Sequence, residues 1–292
     1  MTLPLATAEP ATSPVEARAP RSRRSRWPSA WHLLLLPLSL LMLTPLLWML
    51  VTAVSTSEEA RRFPPALPKS IQWSNFTDVW TQAPFGHWFL NTAIVSIVVV
   101  AANLVLCSLA GYAFARIRFR GSGLVFLVLL ATLMVPFQVV MIPTLLIVKS
   151  FGLVDQLGAL VVPNLVAVFG IFLMRQFFVS LPPELEEAAR IDGASRLGVV
   201  VKVLLPLMGP PLATLTILTF LTIWNDFLWP LIVIQSPEHM TLQLGLASLQ
   251  GAHLTNWPFV MAATLMSQLP LIVLFLLGQR LFVRSIASSG IK

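Results

Sequence analysis

Six long runs without a charged residue alternate with short polar stretches along this chain. They lie between Arg26 and Glu58, Asp78 and Arg116, Arg120 and Lys149, Asp155 and Arg175, Lys202 and Asp226, and Glu238 and Arg280. A helix crossing ~30 Å of hydrocarbon needs about 20 residues. Each run is therefore expected to hold one apolar helix, near 31–54, 88–114, 123–147, 157–179, 208–234 and 257–281. Pro37, Pro45, Pro136 and Pro143 fall inside these helices, where neighbouring helices can re-satisfy the freed carbonyls. The predicted fold class is an all-α integral membrane protein with six transmembrane helices and a cytoplasmic helical loop between helices 4 and 5.

That loop departs from the apolar pattern. Residues 184–206 read ELEEAARIDGASRLGVVVKVLLP, too polar to span a bilayer and too short for a domain. Leu181-Pro182-Pro183 ends the preceding helix, because the residue before a proline disfavours the α region. Pro183 suits the first position of a new helix. Glu184, Glu186 and Glu187 then occupy its first turn, where the helix dipole favours acids. Spacing of three and four places Leu185, Ala188 and Ala189 on one face. Asp192-Gly193 supplies a turn, with Gly193 as a left-handed C-cap, and a second short helix is expected from Ala194 to about Leu204 before Pro206. So short a helix is unstable alone in water and needs a surface to pack on. A groove in a partner protein suits small alanines. A lipid surface is the other reading, although an anionic inner leaflet repels the acids.

Composition agrees with the apolar pattern. The 292 residues are 57% hydrophobic and 11% charged, against about 25% charged in soluble domains, and mean hydropathy is +0.83. The net charge of +7 does not indicate nucleic acid, because the bases sit in loops between apolar runs. With the N-terminus inside, the inner segments hold Arg18, Arg21, Arg23, Arg24, Arg26, Arg116, Arg118, Arg120, Arg175, Arg190, Arg196, Lys202, Arg280, Arg284 and Lys292. The outer ones hold Arg61, Arg62, Lys69 and Lys149. This asymmetry predicts that both termini and the polar loop are cytoplasmic. Residues 1–28, rich in Pro, Ala, Ser and Arg, read as a disordered tail. The apolar run after them exceeds the 7–15 residues of a signal peptide, which favours a retained first helix.

Several chemistries lack their residues. Cys107 is the single cysteine, so neither an internal disulfide nor a cysteine-based metal site is available. No lysine follows a glycine, which rules out a P-loop. His32, His87, His239 and His253 are scattered without metal-like spacing.

The loop carries a family pattern. Glu187-Ala188-Ala189, three residues, Gly193, nine residues, Val203, one residue and Leu205-Pro206 resembles the EAA loop of bacterial ABC importer permeases, with Val203 where the family has isoleucine. Residues 90–121, 134–166, 224–233 and 282–292 are similar to the MalG-type carbohydrate branch. The resemblance implies a multi-pass subunit of the bacterial inner membrane, not an enzyme, that moves a sugar from an extracytoplasmic solute-binding protein into the cytoplasm. Its implied partners are a second homologous permease, as a heterodimer, two cytoplasmic ATPase subunits and membrane lipid, with no nucleic acid. It needs no cofactor of its own, since ATP and magnesium would bind the partner ATPase. Glu187, Ala188, Ala189, Asp192, Gly193 and Pro206 would couple to that ATPase. Leu242, Leu244, Leu246, Gln250 and Gly251, in the outer segment 236–257, would meet the binding protein; the other reading of that segment is a re-entrant or interfacial loop. The organisation implied is a tail at 1–28, a permease domain at 29–284 with its coupling loop at 181–206, and a C-terminal tail at 285–292 that in relatives enters the ATPase dimer. This tail ends ASSGIK and lacks their glycine-rich run.

Polar residues within the runs are the remaining candidates. Asp226 is costly in lipid and is a functional hypothesis by default. Asn225 and Asp226 could hydrogen-bond sugar hydroxyls, with Trp224 or Trp229 stacking on a sugar face, or they could join helices. Asn91, Asn103, Gln138 and Asn164 are expected to hold the bundle together, and Trp27, Trp31, Trp80, Trp88 and Trp257 to anchor span ends. An importer for glycerol phosphate or polyamine, a membrane-embedded enzyme and a channel are the rival readings.

Overall fold

A computed structural model describes residues 30–62, 67–251 and 255–289. The predicted tail at 1–28 and residues 290–292 lie outside them. All regular structure among the described residues is helical. The chain divides into a unit ending at Leu46 and a unit from Leu47 onward. The first contains the N-terminal two-thirds of helix α1 (Ala30–Ala53), which bears Pro37 and Pro45. Apart from the length of α1, everything below concerns the second unit.

Helix α2 (Ser74–Gln82) is short, and α3 (Phe85–Arg116) is the long central element. Then follow α4 (Ser122–Met134), α5 (Phe137–Ser150), α6 (Gly158–Asn164), α7 (Val168–Ser180), α8 (Glu184–Ile191), α9 (Arg196–Leu207) and α10 (Gly209–Trp224). Last come α11 (Leu228–Val233), α12 (Leu242–Ser248) and α13 (Trp257–Ser289). Helix α13 thus continues well into the predicted C-terminal tail.

Three helices, α1, α3 and α13, are long and apolar enough to cross a membrane unbroken. Three further spans are available only as bent pairs: α4 with α5 at 104°, α6 with α7 at 41°, and α9 with α10 at 85°. The bends depart from the straight helices predicted at 123–147 and 157–179, and the causes are local. Val135 precedes Pro136 and takes extended backbone (φ −84°, ψ 115°), which separates α4 from α5. Ala167 is likewise extended (φ −96°, ψ 123°) between α6 and α7. The α9–α10 bend lies at Met208, ahead of Gly209-Pro210-Pro211, and not at Pro206, which is helical. The predicted helix 208–234 is interrupted at Asn225–Phe227, between α10 and α11.

Two glycines let α3 and α7 approach closely. A Cβ on Gly111 would lie 2.7 Å from Met174 Cβ and 2.9 Å from the Arg175 backbone nitrogen; one on Gly170 would lie 2.9 Å from Cys107 Sγ. Small residues at a helix contact permit this spacing in membrane proteins. Asn103 joins α3 to the break between α6 and α7. Its amide donates to the carbonyls of Asn164 (2.8 Å) and Leu165 (3.3 Å), and its Oδ1 accepts from Ala167 N (2.9 Å). Backbone groups freed where α6 ends are thereby satisfied, as expected of this asparagine. Asn91 reaches the carbonyls of Glu238 (2.8 Å) and Met240 (3.0 Å).

Below these, Cys107, Tyr112, Met174, Phe178, Val199, Leu204, Met208 and Leu215 form one buried cluster joining α3, α7, α9 and α10. Large apolar side chains remain exposed elsewhere, among them Leu124, Met134, Ile142 and Leu277. Such a surface suits lipid or a partner helix.

Candidate functional site

The polar loop folds as its residues predict, with one change of face. Pro183 precedes α8, which begins at Glu184 and has three acids in its first turn. Gly193 has φ +83°, the left-handed conformation that closes a helix at low steric cost. Gly193 N donates to the Arg190 carbonyl (3.0 Å) and Ala194 N to the Ala189 carbonyl (2.9 Å), the paired bonds of a Schellman cap. Ser195 Oγ accepts from Gly198 N (3.1 Å) and caps α9. Val199–Leu204 then widens into a π turn, in which Val199, Val200 and Leu204 are buried.

The two alanines do not share an outward face. Ala189 packs, with Ala194, Val203 and Leu205, on the buried cluster of the chain itself. Glu187, Ala188, Asp192 and Gly193 are exposed, and so is Ile191, which is 86% exposed. The free face of α8 therefore comprises Glu184, Glu187, Ala188 and Ile191. Pro206 lies near the end of α9 and is exposed.

A three-way contact absent from the sequence reading holds α8 in place. Tyr112 Oη donates to Glu186 Oε1 at 2.7 Å. Arg116 Nε lies 4.0 Å from Glu186 Oε2, and Arg190 Nε 4.0 Å from Oε1. The Arg116 guanidinium also donates to the Phe178 carbonyl (2.9 Å) and to that of Leu181, satisfying acceptors left open at the end of α7. Glu186 and Arg116 are 13% and 16% exposed, so solvent screens the pair less than a surface pair. Tyr112 is the only tyrosine in the chain and stands one turn before Arg116, the one signal that could have marked this contact in advance.

Among the substrate-path candidates, both tryptophans are structural. Trp224 and Trp229 are 1% and 2% exposed. Their indole N–H groups donate to the carbonyls of Ser267 (3.0 Å) and Ala159 (2.9 Å). Phe220 stacks on Trp224, Phe89 meets it edge-on, and Phe137 meets Trp229 edge-on, so neither ring is free for a sugar. Asp226 Oδ1 accepts from Trp229 N (3.4 Å) at the start of α11, and is therefore a local cap and not a link between helices. Asn225 remains exposed and accepts from Gln243 Nε2 (3.3 Å).

The outer segment is also corrected in part. Leu242, Leu244 and Leu246 are at most 7% exposed, inside α12; Leu242 and Leu246 pack with α3 and α13 and Leu244 with α3, α6 and α11, so this conformation does not present them to a partner. Leu242 N donates to Thr92 Oγ1 (2.7 Å), and Gly245 lies so close to Trp88 that no side chain fits. Trp88 is accordingly buried, not an interfacial anchor. Gln250 and Gly251 are exposed.

Asp155 fixes the start of this segment. Its backbone is left-handed (φ 61°), which a short polar side chain tolerates. Its Oδ1 accepts from Gln235 N (2.9 Å), Ser236 N (2.9 Å) and Ser236 Oγ (3.0 Å). The backbone bonds from Ser236 and Gln235 pull its pKa from 3.8 down to about 2, with His239 adding a smaller effect. A depressed folded-state pKa stabilises fully above the unfolded value and is lost as pH falls through the folded one. The protection factors of the Gln235 and Ser236 amides in nanodiscs, taken against the intrinsic exchange rate at each pH, are therefore expected to hold down to about pH 4 and to fall between pH 4 and 2. Asp155→Asn should exchange fast at pH 6. Equal protection in variant and wild type would refute this role.

A family model described as the binding-protein-dependent transport system inner membrane component matches residues 105–288. The arabinooligosaccharides transport system permease protein of Halalkalibacterium halodurans is 37% identical over 252 residues, 85% of this chain and 90% of that protein. The sn-glycerol-3-phosphate transport system permease protein of Pectobacterium atrosepticum is 35% identical, over 88% of this chain and 95% of that one. A chain in the crystal structure of a bacterial ABC transporter importing the acidic polysaccharide alginate superposes with a TM-score of 0.77 at 27% identity, covering 85% of this chain and 93% of its own.

Proposed function

The chain belongs to the binding-protein-dependent transport system inner membrane components, a family of ABC importer permeases and not of enzymes, and on that premise we propose that it carries a neutral oligosaccharide across the inner membrane. The arabinooligosaccharide relatives support a carbohydrate. The glycerol-phosphate relatives support the second reading, a phosphorylated polyol. Both termini and α8 face the cytoplasm in this proposal, following the asymmetry of bases. A homologous second permease completes the pathway, an outer binding protein delivers solute near Gln250 and Gly251, and two separate ATPase subunits bind ATP and magnesium.

The observation that carries the reading is the construction of α8. Its outward face offers acids, a small alanine and an exposed isoleucine, the composition of a helix that lies in a groove. Its inward face is fixed to α3 through Glu186, and Arg116 of that contact reaches on to the end of α7. A helix exposed on one side and fixed on the other can pass on displacement. ATP-driven closure of the ATPase pair would pull on α8 and, through the buried cluster, reorient α3, α7 and α10.

Co-purification tests this. The chain, tagged in its host and extracted in mild detergent, is expected to bring a P-loop ATPase and a second six-helix permease, and the ATPase should be lost when Glu187 and Gly193 are both substituted. Recovery of the chain without an ATPase under several mild conditions would refute the assignment. Uptake of labelled arabinotriose against glycerol 3-phosphate decides between the substrate classes.

A further inference from the structure

Helices α3, α9 and α10 leave a groove of about 330 Å³ between them. Leu197, Val201 and Leu205, spaced by four along α9, line it together with Leu104, Val105 and Leu109 of α3. Val105, Leu109, Leu197 and Val201 are exposed, so the groove is open to what surrounds the helices. Val201 lies in the π turn Val199–Leu204, and π turns recur at functional sites.

Two observations identify an occupant. Ser108, the one polar side chain lining the groove among the described residues, is 1% exposed, and its hydroxyl makes no hydrogen bond there. Thr92, Thr144 and Thr216, also inside helices, each donate to the carbonyl four residues earlier. The Ser108 hydroxyl is instead a free donor in the groove wall, and a buried donor left unpaired is costly. Further, Leu197 and Val201 each adjoin an exposed cation, Arg196 and Lys202, and neither cation has an ion pair among the described residues. An apolar groove with one donor in its wall and two cations beside it has the chemistry of a lipid site. An acyl chain fills the groove, an ester carbonyl accepts from Ser108, and a phosphate meets Arg196 and Lys202. A sugar does not fit, because one hydroxyl cannot satisfy its many polar groups. A helix does not enter either: a cube of this volume is about 7 Å on edge, against about 10–12 Å for a helix with its side chains.

We propose that this groove holds an acyl chain of an anionic phospholipid from the surrounding membrane, and that the lipid braces α9 against α3. Helix α3 carries Tyr112 and Arg116, which fix α8, and α9 follows α8 through the Gly193 cap. A chain lodged between α3 and α9 therefore stiffens the base of the polar loop. The site itself rests on membership of an inner-membrane family, and its effect on transport rests in addition on the coupling reading of α8.

The test uses the purified whole transporter in phosphatidylcholine nanodiscs that contain a phosphatidylglycerol with a photoactivatable acyl chain. Peptides covering 104–109 and 197–205 are expected to carry the label, and unlabelled phosphatidylglycerol to compete it away although phosphatidylcholine is in excess. Val201→Trp fills the groove from an exposed position and should cut this labelling at least about fivefold, with thermal stability unchanged. Replacing Arg196 and Lys202 together by Gln should raise the mole fraction of phosphatidylglycerol at half-maximal labelling about tenfold, the worth of two lost charge contacts. Ser108→Ala should raise it about threefold without lowering thermal stability. ATP hydrolysis stimulated by the binding protein should be about threefold slower in wild type without phosphatidylglycerol, and Val201→Trp should be equally slow with and without it. Label not enriched in the two peptides, or undiminished by all of these substitutions, would overturn the site. A photo-crosslinking residue at Val105 that captures the second permease instead of lipid would also overturn it and assign the groove to a protein contact. Specific labelling with ATP hydrolysis indifferent to the lipid would uphold the site and overturn its role in coupling.

Discussion

Gly193→Pro is expected to abolish solute uptake and solute-stimulated ATP hydrolysis while the chain still inserts in the membrane. Gly193 has φ +83°, and proline is confined near −65°. The substitution also removes the N–H that donates to the Arg190 carbonyl. The cap between α8 and α9 must then open, at a cost of about 3 kcal/mol or more. The damage stays local, because a side chain at 193 meets nothing within 4 Å and the buried residues of α9 lie at Val199, Val200 and Leu204. Membrane fractions probed by immunoblot should show normal amounts, while uptake in cells and ATPase activity of the purified complex fall to background. Uptake at wild-type rates would mean that the angle between α8 and α9 does not transmit force.

Glu186→Ala is the second large effect. It leaves the Tyr112 hydroxyl and the Arg116 guanidinium without their acidic partner in a region where both are mostly buried. Stranding such groups costs about 1–3 kcal/mol, which would release α8 from α3 on the order of tenfold more often. Transport is expected to drop by about that factor, and proteolysis within 181–196 to accelerate. Tyr112→Phe should show a smaller share of the same defect. The double variant should fall short of the sum, because the two residues share one bond. Strict additivity, or unchanged proteolysis, would show that the contact does not brace the loop.

The apolar runs made the helices legible because charge is excluded from lipid-length segments whatever the partners. The polar loop was legible for another reason: Pro183, the first-turn acids and Gly193 each act within a few residues of themselves. Direction of facing was not. Ala188 and Ala189 are indistinguishable as letters, and only the position of the buried cluster under α9 and α10 turns Ala189 inward and Ile191 outward. Trp224 and Trp229 misled because an indole in a polar stretch reads as a binding face, whereas backbone carbonyls 43 and 70 residues away take up their N–H groups. The bend of 104° between α4 and α5 was signalled by Pro136, but a proline inside an apolar run reads equally as a tolerated kink.

Helix α3 holds the segment 236–257 through Asn91 and Thr92 and the polar loop through Tyr112 and Arg116. Some 30 Å of unbroken helix separates the two grips. A single residue inserted between them would turn one grip by about 100° relative to the other and shift it by about 1.5 Å. Seven inserted residues would nearly restore the rotation, to within about 20°, but would add roughly 10 Å of length, beyond the reach of either set of side chains. The reading frame of this helix therefore acts as a fixed gauge. Insertions and deletions that preserve transport have to fall in the loops on either side of it.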